Sequence, residues 1–180
     1  MACRLPLGFQ REIRMKRLRN GQAGFTIVEM VVTTCIIAVL ASVAIHQMRD
    51  YTRRTKVSEV VMVTSTCKNM VSEGFMFLDT APHAGDWGCE NAAGTTQYSG
   101  AVQTSAKGVI RVAIRGIDPL VNGRHVYLIP SRSGAAMVAP DHLGMPVRAW
   151  ICGSDWAPVR NALPGNCRAD TTTYASQDFE

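Results

Sequence analysis

The hydrophobic pattern of the chain changes near residue 45. From Phe25 to Ile45 the sequence is apolar on every side, and its only ionisable side chains are those of Glu29 and Cys35. A helix of this length, at about 1.5 Å per residue, spans about 30 Å, which is the thickness of the hydrocarbon core of a bilayer. The pattern therefore predicts a transmembrane helix over residues 25–45.

Apolar residues continue after Ile45, but they become periodic. Over residues 46–79 they recur at steps of three and four, which is the spacing of one face of an α-helix. No proline or glycine interrupts this stretch before Gly74. The predicted apolar face consists of Val57, Val60, Val61, Thr64, Cys67, Val71, Phe75 and Leu78. We expect one helix from about residue 25 to about residue 77, apolar all round at first and then amphipathic.

The rest of the chain has the patterns of loops and strands. Residues 80–97 are rich in glycine and small polar residues, which predicts a loop. Three later segments have the alternation or composition of strands: 107–117, 124–130 and 146–152. Asn122-Gly123 predicts a hairpin turn between the first two. The prediction is an α+β fold, with a three- to four-stranded antiparallel sheet covering the amphipathic helix and an irregular segment over 153–180.

The formal charge of +5 is concentrated at the N-terminus. Residues 1–24 contain six Lys or Arg and one acid, so the remaining chain is formally neutral. The basic character therefore gives no indication of nucleic-acid binding by the outer part. Positive charge before a transmembrane helix is typical of its cytoplasmic side, which predicts that the C-terminal part is exported.

A cleaved secretory signal is an alternative interpretation of the N-terminus. Such signals have an apolar core of 7–15 residues followed by small residues at the cleavage site. Ala41-Ser42-Val43-Ala44 offers such a site, but the apolar stretch is longer and carries a charged residue.

Four of the six cysteines lie in the predicted exported part, where disulfides form. Cys67, Cys89, Cys152 and Cys167 allow three pairings, and we favour the two local ones, Cys67–Cys89 and Cys152–Cys167. No cysteine or histidine spacing typical of zinc sites occurs, so we expect no metal and no cofactor.

The sequence provides little support for catalysis. His46, His83, His125 and His142 are scattered, and no motif of hydrolases, metalloproteases or phosphate-binding loops accompanies them. Arg111 and Arg115 fall on one face of a predicted strand, which we interpret as a solvated sheet surface. We predict that the protein is not an enzyme.

Three features together resemble type IV pilins: the basic leader ending in Gly24, the segment GFTIVEM from Gly24 to Met30, and the long helix joined to a small sheet. The segment WICGSDWAPVRNALPGNCR, which ends on Leu163 to Arg168, is similar to the C-terminal disulfide loop of major pilins. The N-terminal motif is shared with pseudopilins of the type II secretion system, whereas the C-terminal loop favours a pilin.

The resemblance implies a processed membrane protein that polymerises. A prepilin peptidase would cut after Gly24, and a methyltransferase would modify the new N-terminal Phe25. The precursor would cross the inner membrane once with its N-terminus in the cytoplasm. Pilus assembly machinery with a cytoplasmic ATPase would then assemble it into a helical homo-oligomeric filament outside the cell. The family implies adhesion, twitching motility and DNA uptake, with a host surface or DNA as candidate partners.

The resemblance also implies the organisation of the chain. The expected parts are a cleaved leader (1–24), a transmembrane or filament-core half-helix (25–45), an amphipathic half-helix (46–79) and a globular head (80–180). Two alternatives are a minor pilin or pseudopilin, and a membrane-anchored enzyme or sensor. The chain departs from the usual family pattern at Ala38 and His46, where a glycine and a proline are usual, and Met15 is an alternative start.

Glu29 is the unusual residue of the apolar stretch. A carboxylate at a bilayer centre costs roughly 2.5–3.5 kcal/mol on insertion scales. Cleavage after Gly24 would create an α-amine on Phe25, and the amine of one subunit could pair with Glu29 of a neighbour and set the axial register of the filament. The alternative is that Glu29 lies at the lipid interface and accepts hydrogen bonds from the first helical turn.

Overall fold

The computed structural model describes residues 24–180. The predicted leader lies outside these residues except for Gly24, and so does the alternative start at Met15. The described residues fall into two compact units, which divide between Ala41 and Ser42. The second unit, Ser42–Glu180, is called the head unit.

A single helix, α1, extends from Ile27 to Phe77, as predicted. Every residue from Gly24 to Thr52 is exposed. The helix contains a stretch that is long and apolar enough to cross a membrane, with a mean hydropathy of 2.4 over its most apolar window. A fully apolar helix surface of this kind is stable only against lipid or other apolar surfaces.

The second part of α1 buries the face that its periodicity predicted. Six of the eight predicted positions are buried: Val57, Val60, Thr64, Cys67, Val71 and Phe75. Val61 is half-buried, whereas Leu78 is 41% exposed. The prediction was wrong for Leu78 because α1 ends at Phe77, so Leu78 no longer follows the helical period.

The head unit contains a sheet whose four longer strands are antiparallel to their neighbours, in the order β1, β2, β3, β5. Their bounds are Ser99–Thr104, Ile110–Ile114, His125–Arg132 and Ala149–Ser154. Two further strands have two residues each: β4 (Ala135–Ala136) pairs with β3, and β6 (Ala169–Asp170) pairs in parallel with β5. The predicted antiparallel sheet is confirmed for the long strands, but β6 makes the whole sheet mixed. The sequence did not predict β1, whose segment SGAVQT contains few β-branched residues.

The turn between β2 and β3 is longer than a two-residue hairpin. These strands pair in an antiparallel register, and residues 115–124 connect them. Asn122 accepts hydrogen bonds from the backbone N–H groups of Ile117 and Asp118, and Gly123 has a φ of 74°. Asn122-Gly123 therefore ends the connection rather than forming all of it.

The core of the head unit lies between α1 and one face of the sheet. Ile110, Val112 and Ile114 of β2 are buried in the cluster that contains the apolar face of α1. Gly108 lies against the Phe75 ring with a φ of 82°, and a Cβ there would come within 2.5 Å of a ring carbon. This glycine therefore allows the strand end to approach the helix closely.

The C-terminal segment is more ordered than the sequence predicted. It forms a short helix, α2 (Ala157–Ala162), and 3₁₀ turns at Gly165–Cys167 and Thr172–Tyr174. Tyr174 and Phe179 pack against a second buried cluster of Val109, Tyr127 and Ile129 on the other face of the sheet. The expectation of an irregular segment was therefore wrong for these elements.

Arg111 is also less solvated than predicted. Its guanidinium lies 4.3 Å from the centre of the Phe179 ring, and its Nε donates to Gln103 Oε1 at 3.0 Å. Arg115 is exposed, and its guanidinium donates to the carbonyl of Thr96. The sheet face that we interpreted as solvated is therefore partly covered by the C-terminal tail.

Candidate functional site

The start of α1 is a capped helix end that carries a carboxylate. The backbone N–H of Glu29 donates to Thr26 Oγ1 at 3.3 Å, and the N–H of Met30 donates to the Thr26 carbonyl. Thr26 is therefore the N-cap and Glu29 the third helical residue, an arrangement that follows the Thr-x-x-Glu sequence of a capping box. A negative charge in the first turn is stabilised by the helix dipole. Our sequence analysis missed the cap, although the Thr-x-x-Glu spacing was visible.

The cleavage site predicted from the resemblance lies just before this cap. Gly24 and Phe25 precede the helix and are exposed. A side chain added at Gly24 would meet no atom within 4 Å. Residues four apart lie on one face only when both are helical. Phe25 lies before the helix, so its backbone nitrogen is not brought next to the Glu29 carboxylate by this spacing alone.

The hydroxyl groups of the apolar stretch are satisfied by the helix itself. Thr33 Oγ1 donates to the Met30 carbonyl at 3.0 Å, and Thr34 Oγ1 donates to the same oxygen at 2.9 Å. Such bonds let a threonine enter an apolar environment without an unpaired donor. Glu29 differs because its charge needs a partner from outside the apolar surface.

The apolar surface itself is large. Twelve large hydrophobic side chains are at least half exposed in this stretch: Phe25, Ile27, Val28, Met30, Val31, Val32, Ile36, Ile37, Val39, Leu40, Val43 and Ile45. Burial of each such side chain contributes roughly 1.5–3 kcal/mol of free energy, so burial of all of them contributes about 20–35 kcal/mol. This surface is a strong drive for membrane insertion or for association with other apolar helices.

Both pairs of cysteines that we favoured from the sequence are bonded in the structure. Cys67 of α1 bonds to Cys89, with 4.9 Å between their Cα atoms, and Cys152 of β5 bonds to Cys167, with 4.4 Å between theirs. A disulfide that closes a loop of about 15 residues contributes on the order of 3 kcal/mol to stability. The second bond therefore holds the loop that contains α2 against the edge of the sheet.

The loop after α1 is fixed by a carboxylate next to the first disulfide. Glu90 accepts hydrogen bonds from the backbone N–H groups of Trp87 and Cys89, at 3.0 and 2.9 Å, and from the Thr104 hydroxyl. The indole N–H of Trp87 donates to the Ser105 carbonyl at 2.9 Å. These bonds tie the loop to β1. No pattern in the sequence predicted the role of Glu90.

An ion pair joins α1 to the connection between β2 and β3. Arg53 Nη2 and Nε donate to Asp118 Oδ2 at 2.8 and 3.2 Å, and Arg53 Nη1 contacts Asp50 at 3.3 Å. The backbone N–H of Leu120 and the Arg53 guanidinium both donate to Asp118, and they hold the pKa of its carboxyl below the ordinary value. Sequence analysis missed this pair because its members lie 65 residues apart.

The Asp118→Asn substitution is expected to lower the free energy of unfolding by about 1 kcal/mol at neutral pH, since the pair is partly exposed. The pKa of Asp118 is lower in the folded than in the unfolded chain, so its stabilisation is complete above the unfolded value near 3.9 and is lost as the pH falls through the folded value. Denaturant titrations of the detergent-solubilised protein should therefore show the two forms converging as the pH falls below the unfolded value near 3.9. A difference that stays constant across this range would contradict the ion-pair explanation.

The four histidines lie in different elements. His46 is in α1, His83 is in the loop after it, His125 begins β3, and His142 lies in the connection to β5. Burial, followed by the nearby Arg111, lowers the pKa of His125. Among the described residues, no group of three or more His, Cys, Asp or Glu side chains is arranged to hold a metal ion.

Comparison with known families agrees with these features. A family profile described as pilin, a bacterial filament protein, matches residues 53–168. A second profile, the prokaryotic N-terminal methylation motif, matches residues 19–45. The first covers most of the amphipathic part of α1, the strands β1 to β5 and both disulfides. The second covers the capped helix start and the apolar stretch.

Curated proteins with similar sequences carry related names. The type IV major pilin protein PilE1 of Neisseria gonorrhoeae is 26% identical over 162 residues, which cover 84% of this chain and 66% of that protein. A fimbrial protein of Neisseria meningitidis serogroup B is 29% identical over 164 residues, with 86% of this chain and 85% of that protein covered. The fimbrial protein EcpC of Eikenella corrodens is 26% identical over 166 residues, 86% of this chain and 96% of its own length. Since the pilin profile alone matches more than half of the chain, this protein belongs to the pilin family of bacterial filament proteins.

Proposed function

We propose that this protein is the major structural subunit of a type IV pilus. It is made as an inner-membrane precursor with a cytoplasmic leader and is assembled into an extracellular filament. The observation that carries the proposal is the exposed apolar surface of residues 25–45, which begins at a capped helix end with a single carboxylate. The head unit has its own core and two disulfides, as a surface-exposed subunit requires.

Assembly follows from the need to bury the apolar surface. In the precursor the stretch crosses the bilayer, and in the filament the same stretch packs against equivalent stretches of neighbouring subunits. Contacts of this type that do not close into a ring generate a fibre. Such a fibre serves adhesion and twitching motility, and DNA uptake is a further candidate function.

In this proposal, an ion pair between Glu29 and Phe25 of neighbouring subunits sets the axial register of the filament. Cleavage after Gly24 releases the α-amine of Phe25, and methylation keeps this amine cationic. Phe25 lies before the cap of its own helix, which supports a pairing of its amine with Glu29 of an adjoining subunit rather than with Glu29 of its own chain. A salt bridge within an apolar core has one favourable position, so it fixes how far one helix is displaced along the next.

The names of the relatives favour this role over the alternatives. They are called major pilins and fimbrial proteins, which supports a structural subunit rather than a minor pilin or a pseudopilin. A structural subunit needs no catalytic site, and the separated histidines agree with that role.

The proposal is tested by the mass of the protein in sheared surface filaments. We expect it to be the dominant component, to begin at methylated Phe25 and to have Cys67, Cys89, Cys152 and Cys167 oxidised. The Gly24→Val variant is expected to retain residues 1–24 and to remain in the membrane. Open space surrounds Gly24, so this variant tests recognition by the peptidase rather than folding. A wild-type surface protein that keeps its leader would refute the proposal, and a minor amount in abundant filaments would indicate a minor pilin.

A further inference from the structure

A cleft of the head unit has an amphiphilic lining. It has a volume of about 420 Å³ and lies where α1 faces the connection between β2 and β3. Ile45, Met48 and Ile117 supply apolar walls, and Thr52 supplies a hydroxyl. Three cations, Arg49, Arg53 and Lys56, line the cleft together with one carboxylate, Asp118. A volume of this size suits a small molecule or a lipid headgroup.

The charges of this cleft are only partly neutralised. Arg53 is paired with Asp118 and with Asp50. Among the residues that the structure describes, neither Arg49 nor Lys56 forms an ion pair. The Nζ of Lys56 lies above the Tyr98 ring, 4.8 Å from the ring centre. The cleft therefore offers two cations to an anion while the third is fixed by the fold.

The cleft follows directly on the apolar stretch of the same helix. Arg49 lies four residues beyond Ile45, which is about 6 Å along the helix axis. The headgroup layer on each side of a bilayer is about 5–8 Å thick, so Arg49 falls at its level. Lys56 lies further along, and its long side chain can extend back toward the membrane.

The cations just after the apolar stretch lie on the predicted exported side of the membrane, where they oppose the predicted orientation of the transmembrane helix. Residues 46–56 contain four Lys or Arg and one acid, although positive charge next to a transmembrane helix favours the cytoplasmic side. The strongly basic leader outweighs this opposition. A binding role on the exported side accounts for the retained charge.

We propose that this cleft binds the phosphate of an anionic phospholipid in the outer leaflet while the subunit waits in the membrane. The phosphate lies between Arg49 and Lys56, and the glycerol backbone and first acyl carbons lie against Ile45 and Met48. The inference rests on the proposed membrane-spanning precursor. It adds a specific lipid contact that holds the head unit at the membrane surface before assembly.

The test uses the full-length protein in detergent with mixed phosphatidylcholine and phosphatidylglycerol. Native mass spectrometry measures which lipid stays bound. We expect the wild type to retain phosphatidylglycerol in preference, and the Arg49→Gln/Lys56→Gln variant to lose this preference by about thirtyfold, which is the effect of two cations near an anionic surface.

The matched control is Arg54→Gln/Arg148→Gln, which removes the same charge from two exposed residues outside the cleft. It should keep the wild-type preference. Equal losses in both variants, or no preference in the wild type, would overturn the cleft as a headgroup site.

Flotation with vesicles of phosphatidylcholine alone separates this inference from the proposed function. A wild-type protein that floats with these vesicles but shows no preference for phosphatidylglycerol overturns only the headgroup site. A wild-type protein that floats with neither neutral vesicles nor vesicles containing phosphatidylglycerol overturns both the membrane anchor and the headgroup site.

Discussion

Cells that produce the Glu29→Ala variant are expected to process the precursor normally and to show no filaments by electron microscopy. Removing the carboxylate would leave the α-amine of a neighbouring Phe25 without a partner inside an apolar core. Breaking one side of a buried ion pair typically costs 3–5 kcal/mol, which is more than a hundredfold in the equilibrium for adding each subunit. The loss is repeated at every subunit, so polymerisation should fail completely.

Two further variants show whether assembly needs the charge of Glu29, the shape of its side chain, or any carboxylate on α1. Glu29→Gln preserves the size of the side chain and should also fail to assemble. Glu73→Gln removes a carboxylate from an exposed position in the head-unit part of α1 and should assemble normally. Filaments of normal length from either Glu29 variant would show that Glu29 has only the interfacial role. Accumulation of the uncleaved precursor would place Glu29 in recognition by the peptidase instead.

The Phe75→Ala substitution is expected to be the most damaging single change in the head unit. The ring is fully buried and stacks on Trp87, with 5.4 Å between the ring centres and 21° between their planes. Gly108 contacts the same ring from the sheet. Truncation of a buried Phe to Ala costs about 3–5 kcal/mol, because it removes buried area and leaves a cavity.

Thermal unfolding of the detergent-solubilised protein would measure this effect as a decrease in Tm of about 10 °C or more. The control is Phe77→Ala, in the same helical turn, since Phe77 is 72% exposed. Its effect on stability should be within about 0.5 kcal/mol. Equal decreases in Tm for the two variants would contradict the assignment of Phe75 to the core that joins α1 to the sheet.

The helical half of the fold could be predicted from the sequence because its signal is periodic and local. Six of the eight positions predicted for the apolar face of α1 are buried, and the helix ends at Phe77, as expected. The alternation of Ile110, Val112 and Ile114 placed β2 correctly against the helix. In each case the spacing of neighbouring residues is sufficient to show which side faces the core.

The C-terminal part was harder to predict because its order depends on distant contacts. Tyr174 and Phe179 have no periodic pattern, yet they cover the second face of the sheet and lie beside Tyr127. The strand β6 has two residues and pairs with β5 in parallel, next to Gly153, where a side chain would collide with the Ala169 carbonyl. Strands of this length give no detectable pattern in a sequence.

The sequence by itself determined the long helix, its apolar first part with Glu29, and the residue set from which the disulfides form. These properties are local, since they depend on the period of the helix, the length of the apolar stretch and the types of residues present. Only the tertiary structure decided that Arg53 pairs with Asp118, that the tail covers the sheet, and that Ile117 closes one side of the cleft on α1. Those contacts join segments far apart in the chain, and their geometry depends on how the helix packs on the sheet.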